Sequence, residues 1–231
     1  ILAFLVGTVI GLVCGLINGL VISKFNIPAF IMTLAMMNIA RGAVLLYTNA
    51  APVTGMGELF KEVGQGNIGG IFPVPVLIMA IIMFLVWLLL NRTKFGRYVF
   101  ATGGNQQAAL ASGIKTRKII TLSYVVCGAL TGLAGVLLSS RMNSGQPAGA
   151  LNYEFDAITG AIVGGTSLMG GIGSVFGTLI GCLIISVLTN IMNLLSVSSY
   201  WQQIISGIVI ALAVIADVTT KTSLLNRKGK A

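Results

Sequence analysis

The sequence contains no histidine and very few charged residues. Of its 231 residues, 8% are Asp, Glu, Lys or Arg, where a soluble domain carries about a quarter. Histidine is the commonest catalytic base and metal ligand, so its absence excludes Ser–His–Asp triads and HExxH zinc sites. The low charge content excludes an ordinary soluble domain.

A nucleotide-binding motif is also missing. No G-x-x-x-x-G-K-[ST] sequence occurs, and the only Gly-Lys pair is Gly229-Lys230 near the C-terminus. An enzyme or ion-coupled carrier in the bilayer needs buried carboxylates or a metal site. The five acids lie in loops or at the ends of apolar runs: Glu58, Glu62, Glu154, Asp156 and Asp217. We therefore expect no catalytic residue, no metal and no cofactor in this chain.

Cysteine is scarce, and its placement excludes a disulfide framework. Cys14, Cys127 and Cys182 all lie inside apolar runs. Their number is odd and their spacing does not match a metal site. We interpret them as small packing residues.

Apolar residues dominate the chain, at 56%. They form runs close to the roughly 20 residues that a helix needs to cross a bilayer. The sequence predicts an all-α, polytopic helical membrane protein with about seven membrane segments, at 2–22, 29–47, 73–90, 119–140, 155–169, 175–195 and 201–216. The segment 155–169 is short for a span and is either a crossing or a broken or re-entrant element. The chain begins inside an apolar run without Met, so we expect further N-terminal material.

Basic and acidic residues occupy different loops. Lys and Arg cluster at 92–97, 115–118 and 221–230, whereas four of the five acids lie in other loops. This is the positive-inside bias of membrane proteins. It predicts that Lys24, residues 91–118 and the C-terminal tail are cytoplasmic, and that the net charge of +9 meets lipid headgroups rather than nucleic acid.

Residues 91–118, here called the basic loop, hold six of the fourteen Lys and Arg and no acid. Within it, Asn105 as N-cap and Gly113 as C-terminal cap predict a short helix from Gln106 to Ser112. Gly103, Gly104 and Gly113 tolerate positive φ and would set the angle of this helix. Such a helix suits a transporter that is driven from the cytoplasm; the alternative is a solvated connector whose charges only fix topology.

Small and neutral polar residues recur in the apolar segments. Glycines four apart, as at Gly7, Gly11, Gly15 and Gly19, predict helices that pack with close backbones. The amides Asn18, Asn38, Asn190, Asn193, Gln202 and Gln203 can hydrogen-bond a polyol without placing a charge in the bilayer. Each of these amides alone is equally explained as a link between helices, while the set suggests a path for an uncharged polar solute.

Several segments together resemble the permease subunits of bacterial ABC importers for sugars, in the ribose/xylose/galactose-type branch. They are PAFIMTLAMMNIARG at 28–42, GRYVFATGGNQQAALASGI at 96–114, SGQPAG at 144–149, YEFDAITGAIVGGTSLMGG at 153–171, GTLIGCLIISVLTN at 177–190, NLLSVSSYWQQ at 193–203 and ALAVIAD at 211–217. The resemblance covers nearly the whole chain. Within the branch, residues 28–49, 144–149 and 193–203 are most similar to the ribose permeases.

The resemblance implies a multi-pass protein of the bacterial inner membrane that moves a ribose-like monosaccharide by alternating access. It implies a homodimer, separate cytoplasmic ATPase subunits that hydrolyse ATP, and a periplasmic sugar-binding protein. Residues 1–231 would then form one permease domain, incomplete at its N-terminus. The contact with the ATPase would involve Gly103, Gly104, Asn105, Gln106, Gln107, Ala108, Ala109, Gly113 and Ile114. The competing interpretations are an ATP-independent uniporter or channel, and a membrane scaffold that transports nothing.

Overall fold

A computed structural model describes residues 2–70 and 72–228, with side chains described as far as residue 219. The basic side chains of the tail, Lys221 to Lys230, lie outside the described residues. Within these ranges the elements in chain order are α1 (Leu2–Phe25), α2 (Ala29–Thr48), α3 (Glu58–Gln65), β1 (Asn67–Ile68), β2 (Phe72–Pro73), α4 (Val74–Arg92), α5 (Lys94–Gly104), α6 (Gln106–Ala111), α7 (Thr116–Met142), α8 (Tyr153–Val163), α9 (Val175–Leu194) and α10 (Ser199–Lys228). The fold is α-helical, with one antiparallel hairpin of two-residue strands.

Six helices in the described part of the chain are long and apolar enough to cross a membrane: α1, α2, α4, α7, α9 and the Ser199–Thr219 part of α10. This confirms the all-α, polytopic class and six of the predicted segments. The seventh predicted segment, 155–169, is helical only where it overlaps α8, Tyr153–Val163, which has 11 residues. At 1.5 Å per residue α8 extends about 16 Å, well short of the roughly 30 Å of hydrocarbon in a bilayer. The short length of this segment was therefore predicted correctly.

The described residues fall into two compact units. The first contains the residues up to Thr102 together with Gln106–Ala150. Its centre is the antiparallel packing of α1 on α7, in which the backbones touch at glycines. A Cβ on Gly128 would overlap the carbonyl oxygen of Gly11 and lie 2.9 Å from the Cα of Gly15. The glycine pattern thus predicted a real helix contact, since close backbone packing is how helices associate in lipid.

The long loop after α2 is tied to the end of α7. Helix α3 lies within this loop, and its Phe60 carbonyl accepts a hydrogen bond from the fully buried Ser140 hydroxyl. Gln65 Nε2 donates to the Arg141 carbonyl at 2.9 Å. Val53 and Gly145 exchange two backbone hydrogen bonds of 2.9 and 2.8 Å. These contacts hold the loop after α2 against the C-terminal end of α7.

The second unit contains Gly103–Asn105 and the residues from Leu151 onward. Helix α8 packs antiparallel on the first half of α9, again through glycines. A Cβ on Gly160 would lie 2.7 Å from Cys182 Sγ, and one on Gly164 would overlap the carbonyl of Gly177. Beyond α8, the Thr166 and Thr178 hydroxyls lie 3.3 Å apart. The residues that connect α8 to α9 are therefore held against α9 itself.

Candidate functional site

The basic loop begins with a sharp turn between α4 and α5. Thr93 has extended backbone angles, and its Oγ1 accepts a hydrogen bond from the Gly96 N–H at 3.3 Å, so Thr93 is the N-cap of α5. A Cβ on Gly96 would overlap the Leu90 carbonyl, so only glycine allows the chain to turn back this closely. Helix α5 was not predicted from the sequence, because its basic residues and glycines are typical of a connector.

The predicted short helix is confirmed as α6, Gln106–Ala111. At its end Gly113 has φ +82°, the Gly113 N–H bonds the Leu110 carbonyl at 3.0 Å, and the Ile114 N–H bonds the Ala109 carbonyl at 3.0 Å. These two bonds define a Schellman motif, which closes a helix at a glycine with positive φ. The prediction that Gly113 closes this helix is confirmed, and α6 has a fixed end.

Nearly the whole surface of helix α6 is exposed to solvent. Ala109 is 4% exposed and faces the protein, where α6 contacts the start of α7. Leu110, next to it, is 62% exposed, and Gln106, Gln107 and Ala108 are exposed as well. The basic side chains on both sides of α6 also reach solvent: Arg92, Lys94, Arg97, Lys115, Arg117 and Lys118. Helix α6 is thus a short, largely exposed helix with an exposed leucine and basic side chains on both sides.

Gly103 and Gly104 lie at the end of α5, just before α6. They are the last two residues of α5, and neither has a positive φ. The expectation of a positive φ is therefore wrong at these two positions. Glycine is required at Gly103 because another backbone lies against it: a Cβ there would lie 2.7 Å from the Gly171 nitrogen. Contact with the segment after α8 explains this glycine.

Asp217, an acid for which the sequence predicted no role, holds that segment through hydrogen bonds. Asp217 Oδ2 accepts hydrogen bonds from Ser167 Oγ at 3.2 Å and from the Leu168 N–H at 3.0 Å. Ser167 Oγ in turn accepts from the Met169 N–H at 3.3 Å. A signal existed, because Asp217 is the only charged residue between positions 199 and 219, and a charge in an apolar segment has a partner or a function.

Two of the amides that were predicted to line a polar path form a hydrogen bond with each other. Gln202 Nε2 donates to Asn193 Oδ1 and to the Val197 carbonyl, each at 2.9 Å, so this pair joins the end of α9 to the start of α10. Asn38 and Asn190 are exposed on α2 and α9. Asn18 Oδ1 is buried without a hydrogen-bond partner in the structure. Asn193 and Gln202 are thus brought together, while Asn18 and Asn38 belong to the other unit.

The described residues contain no group of three or more His, Cys, Asp or Glu that could hold a metal ion. All three cysteines are free, and Cys182 packs against Gly160.

Comparison with known proteins identifies what kind of protein carries these features. The family described as "Branched-chain amino acid transport system / permease component" matches residues 1–214. The chain belongs to this permease family. With six helices of spanning length, the permease is a multi-pass protein of the bacterial inner membrane.

Relatives of the permease are named for sugars. It is 48% identical over 219 residues to the ribose import permease protein RbsC of Bacillus subtilis, an alignment that covers 94% of this chain and 68% of the relative. It is 46% identical to RbsC of Escherichia coli strain K12, covering 87% of this chain and 63% of the relative. With the L-arabinose transport system permease protein AraH of the same strain it shares 38% identity, covering 87% and 61%. The permease thus spans about two thirds of the length of these relatives. No solved structure matches it.

Proposed function

We propose that this chain is the membrane-spanning permease subunit of an ATP-driven importer that carries a ribose-like monosaccharide across the inner membrane. A second copy of the permease, cytoplasmic ATP-binding subunits and a periplasmic sugar-binding protein complete the transporter. The observation that carries the proposal is α6, an exposed helix with a fixed end in a basic loop that is predicted to be cytoplasmic. The names of the relatives supply the substrate class.

Energy has to reach this chain from another subunit. Its 231 residues contain no G-x-x-x-x-G-K-[ST] motif, so ATP acts through a docked partner. The exposed side of α6, with Leu110, offers the docking surface. When the ATP-binding subunits close, α6 moves with them, and the membrane helices change between two packed arrangements.

The movement of α6 can reach the second unit through the peptide chain itself. Gly103–Asn105 belong to the second unit, whereas α6 begins at Gln106 in the first. Within the second unit the backbones of Gly103 and Gly104 lie against Gly170 and Gly171, and a displacement of α6 acts on them directly through the chain. Residues 103–114 then act as one coupling segment.

The spanning helices offer neutral polar groups rather than acids, because α1, α2, α4, α7 and α9 contain no Asp or Glu. Neutral amides such as Asn18 and Asn38 hydrogen-bond hydroxyl groups without the cost of a buried charge. We therefore propose that these amides, Asn18 and Asn38 in the first unit and Asn190, Asn193 and Gln202 in the second, take part in passing a polyol.

Uptake into liposomes tests the proposal. The full-length protein, candidate ATP-binding subunits and a candidate binding protein are reconstituted, and entry of radiolabelled ribose is measured with and without ATP. The proposal predicts uptake that requires ATP and both partners. Uptake by the permease alone, unchanged by ATP, would establish the uniporter instead, and no uptake of ribose, arabinose or xylose would contradict a sugar permease.

Two adjacent glycines provide a matched test of the coupling segment. Gly103→Ala places a methyl group 2.7 Å from the Gly171 nitrogen, whereas the nearest atom to a Cβ on Gly104 is the Gly171 Cα at 3.9 Å. We expect Gly103→Ala to lower the stimulation of ATP turnover by loaded binding protein about tenfold, within the usual range of coupling energies. Gly104→Ala, with the same helix propensity, should stay within twofold of wild type. Equal effects of the two substitutions would mean that the contact with Gly171 carries no coupling.

A further inference from the structure

We propose that Asp217 is a positioning residue for transport: its carboxylate holds the turn at residues 167–171 in the shape that receives the backbone of Gly103 and Gly104. This inference rests on the proposed function and deepens it, because it names the element through which the coupling segment reaches α10. Asp217 contacts neither the sugar nor the ATP-binding subunit in this proposal and acts through the turn.

The hydrogen bonds fix the first half of the 167–171 turn. Asp217 Oδ2 receives both the Ser167 hydroxyl and the Leu168 N–H. The Gly170 N–H donates to the Ser167 carbonyl at 3.1 Å, and the Ser167 N–H donates to the Ile172 carbonyl at 3.1 Å. The turn is thus closed on itself and joined to α10 by one carboxylate oxygen.

The second half of the turn is the surface that meets the coupling segment. Gly170 and Gly171 have φ +81° and +79°, a backbone conformation that favours glycine. A Cβ on Gly170 would lie 2.6 Å from the Gly103 carbonyl oxygen, and one on Gly171 would lie 2.7 Å from the Gly104 Cα. Because only backbone atoms stand between the two segments, no flexible side chain can absorb a displacement of Gly103 and Gly104.

The choice of an acid at position 217 supports a role beyond simple packing. Asp217 is the only charge between positions 199 and 219, and a charge in an apolar helix is costly unless it is used. An ionised carboxylate is a stronger acceptor than an amide, so it holds the Leu168 N–H and the Ser167 hydroxyl more firmly. A displacement of α6 would then be transmitted through Asn105, Gly104 and the 167–171 turn to α10, instead of being absorbed by a flexible loop.

The first test compares Asp217→Ala with Asp217→Asn in the reconstituted transporter. The quantity measured is the ratio of ATP turnover with sugar-loaded binding protein to turnover without it, together with sugar molecules imported per ATP. Asp217→Ala should lower both about fivefold or more, within the range of typical coupling. Asp217→Asn keeps an oxygen that accepts the same donors, so it should retain more than half of each. A purely structural role would lower the amount of complex and leave both ratios unchanged.

A second pair of variants separates the contact from backbone strain. Gly171→Ala and Gly165→Ala both place alanine at positive φ, at +79° and +86°, but a Cβ on Gly165 meets nothing within 4 Å. We expect Gly171→Ala to reproduce the loss seen in Asp217→Ala and Gly165→Ala to keep the wild-type ratios. Hydrogen exchange of the Leu168 amide should be faster in Asp217→Ala than in wild type.

The outcomes distinguish this inference from the proposed function. A wild-type transporter whose ATP turnover ignores loaded binding protein would contradict the proposed function itself. Wild-type stimulation that persists in Asp217→Ala and in Gly171→Ala would overturn the role of Asp217 alone. Equal losses in Gly171→Ala and Gly165→Ala would show that strain, and not contact with the coupling segment, causes the effect.

Discussion

Replacing Ala108 with Glu is expected to abolish the stimulation of ATP turnover by sugar-loaded binding protein, while the protein still inserts into the membrane. Ala108 is exposed on α6, so the single chain tolerates a longer side chain there. In the assembled transporter the new carboxylate would be buried without a partner, which costs about 3–5 kcal/mol. That cost corresponds to a loss of stimulation of more than about 100-fold. Stimulated ATP turnover in liposomes measures it.

Ala101→Glu is the matched control for this prediction. It makes the same chemical change at an exposed position of α5, before the coupling segment begins. We expect Ala101→Glu to keep stimulation within threefold of wild type. If both variants lose stimulation equally, the basic loop acts only through its overall charge, and α6 is not the docking element.

Gly128→Ala is expected to cause a large loss of stability, because it separates α1 from α7. The added methyl group would overlap the Gly11 carbonyl and lie 2.9 Å from the Gly15 Cα and 3.0 Å from its nitrogen. Backbone atoms of a helix cannot rotate away, so α1 and α7 have to separate. Overpacking of this kind costs about 1–3 kcal/mol, occasionally more. Unfolding of the purified full-length protein by titration with SDS measures the difference.

Gly135 provides the control on the same helix. A Cβ on Gly135 meets nothing within 4 Å, and alanine is favoured over glycine in a helix by about 0.5–1 kcal/mol. Gly135→Ala should therefore leave the unfolding free energy unchanged or slightly higher. Equal destabilisation by Gly128→Ala and Gly135→Ala would refute the close packing of α1 on α7.

Several features of the fold could be predicted because they depend on local sequence. The length of an apolar run fixes whether a helix crosses a bilayer, which identified the six long helices and the short 155–169 segment. Glycines four residues apart lie on one helix face, which predicted the close contact of α1 with another helix. Gly113 could be identified as the end of α6 because a positive φ at a helix end favours glycine.

Other features depend on contacts between residues distant in sequence. The sequence around Gly103 does not show that Gly171 will lie against it. The sequence therefore suggested only that Gly103 is a glycine because it needs a positive φ. Helix α5 was missed because its basic residues and glycines are typical of a connector, whereas its start depends on the Thr93 cap and the turn at Gly96. Asp217 was noted only as an acid at a segment end, since its partners Ser167 and Leu168 are about fifty residues earlier.

The neutral amides show where one sequence leaves two interpretations open. Asn193 and Gln202 bond each other, which is the link between helices that one interpretation required. Asn18 Oδ1 is buried with no hydrogen-bond partner in the structure, so it does not form such a link. The sequence alone offered no basis for separating these two behaviours, because both residues are amides in apolar segments.

Contact between α6 and an ATP-binding subunit is the central claim, and photo-crosslinking tests it most directly. A photoreactive amino acid is placed at Leu110, which is 62% exposed, and for comparison at Ala101, in the full-length protein reconstituted with its ATP-binding subunits. The account predicts a covalent adduct of permease and ATP-binding subunit from position 110 and little or none from position 101. Absence of that adduct from position 110, in a complex that still hydrolyses ATP, would contradict it.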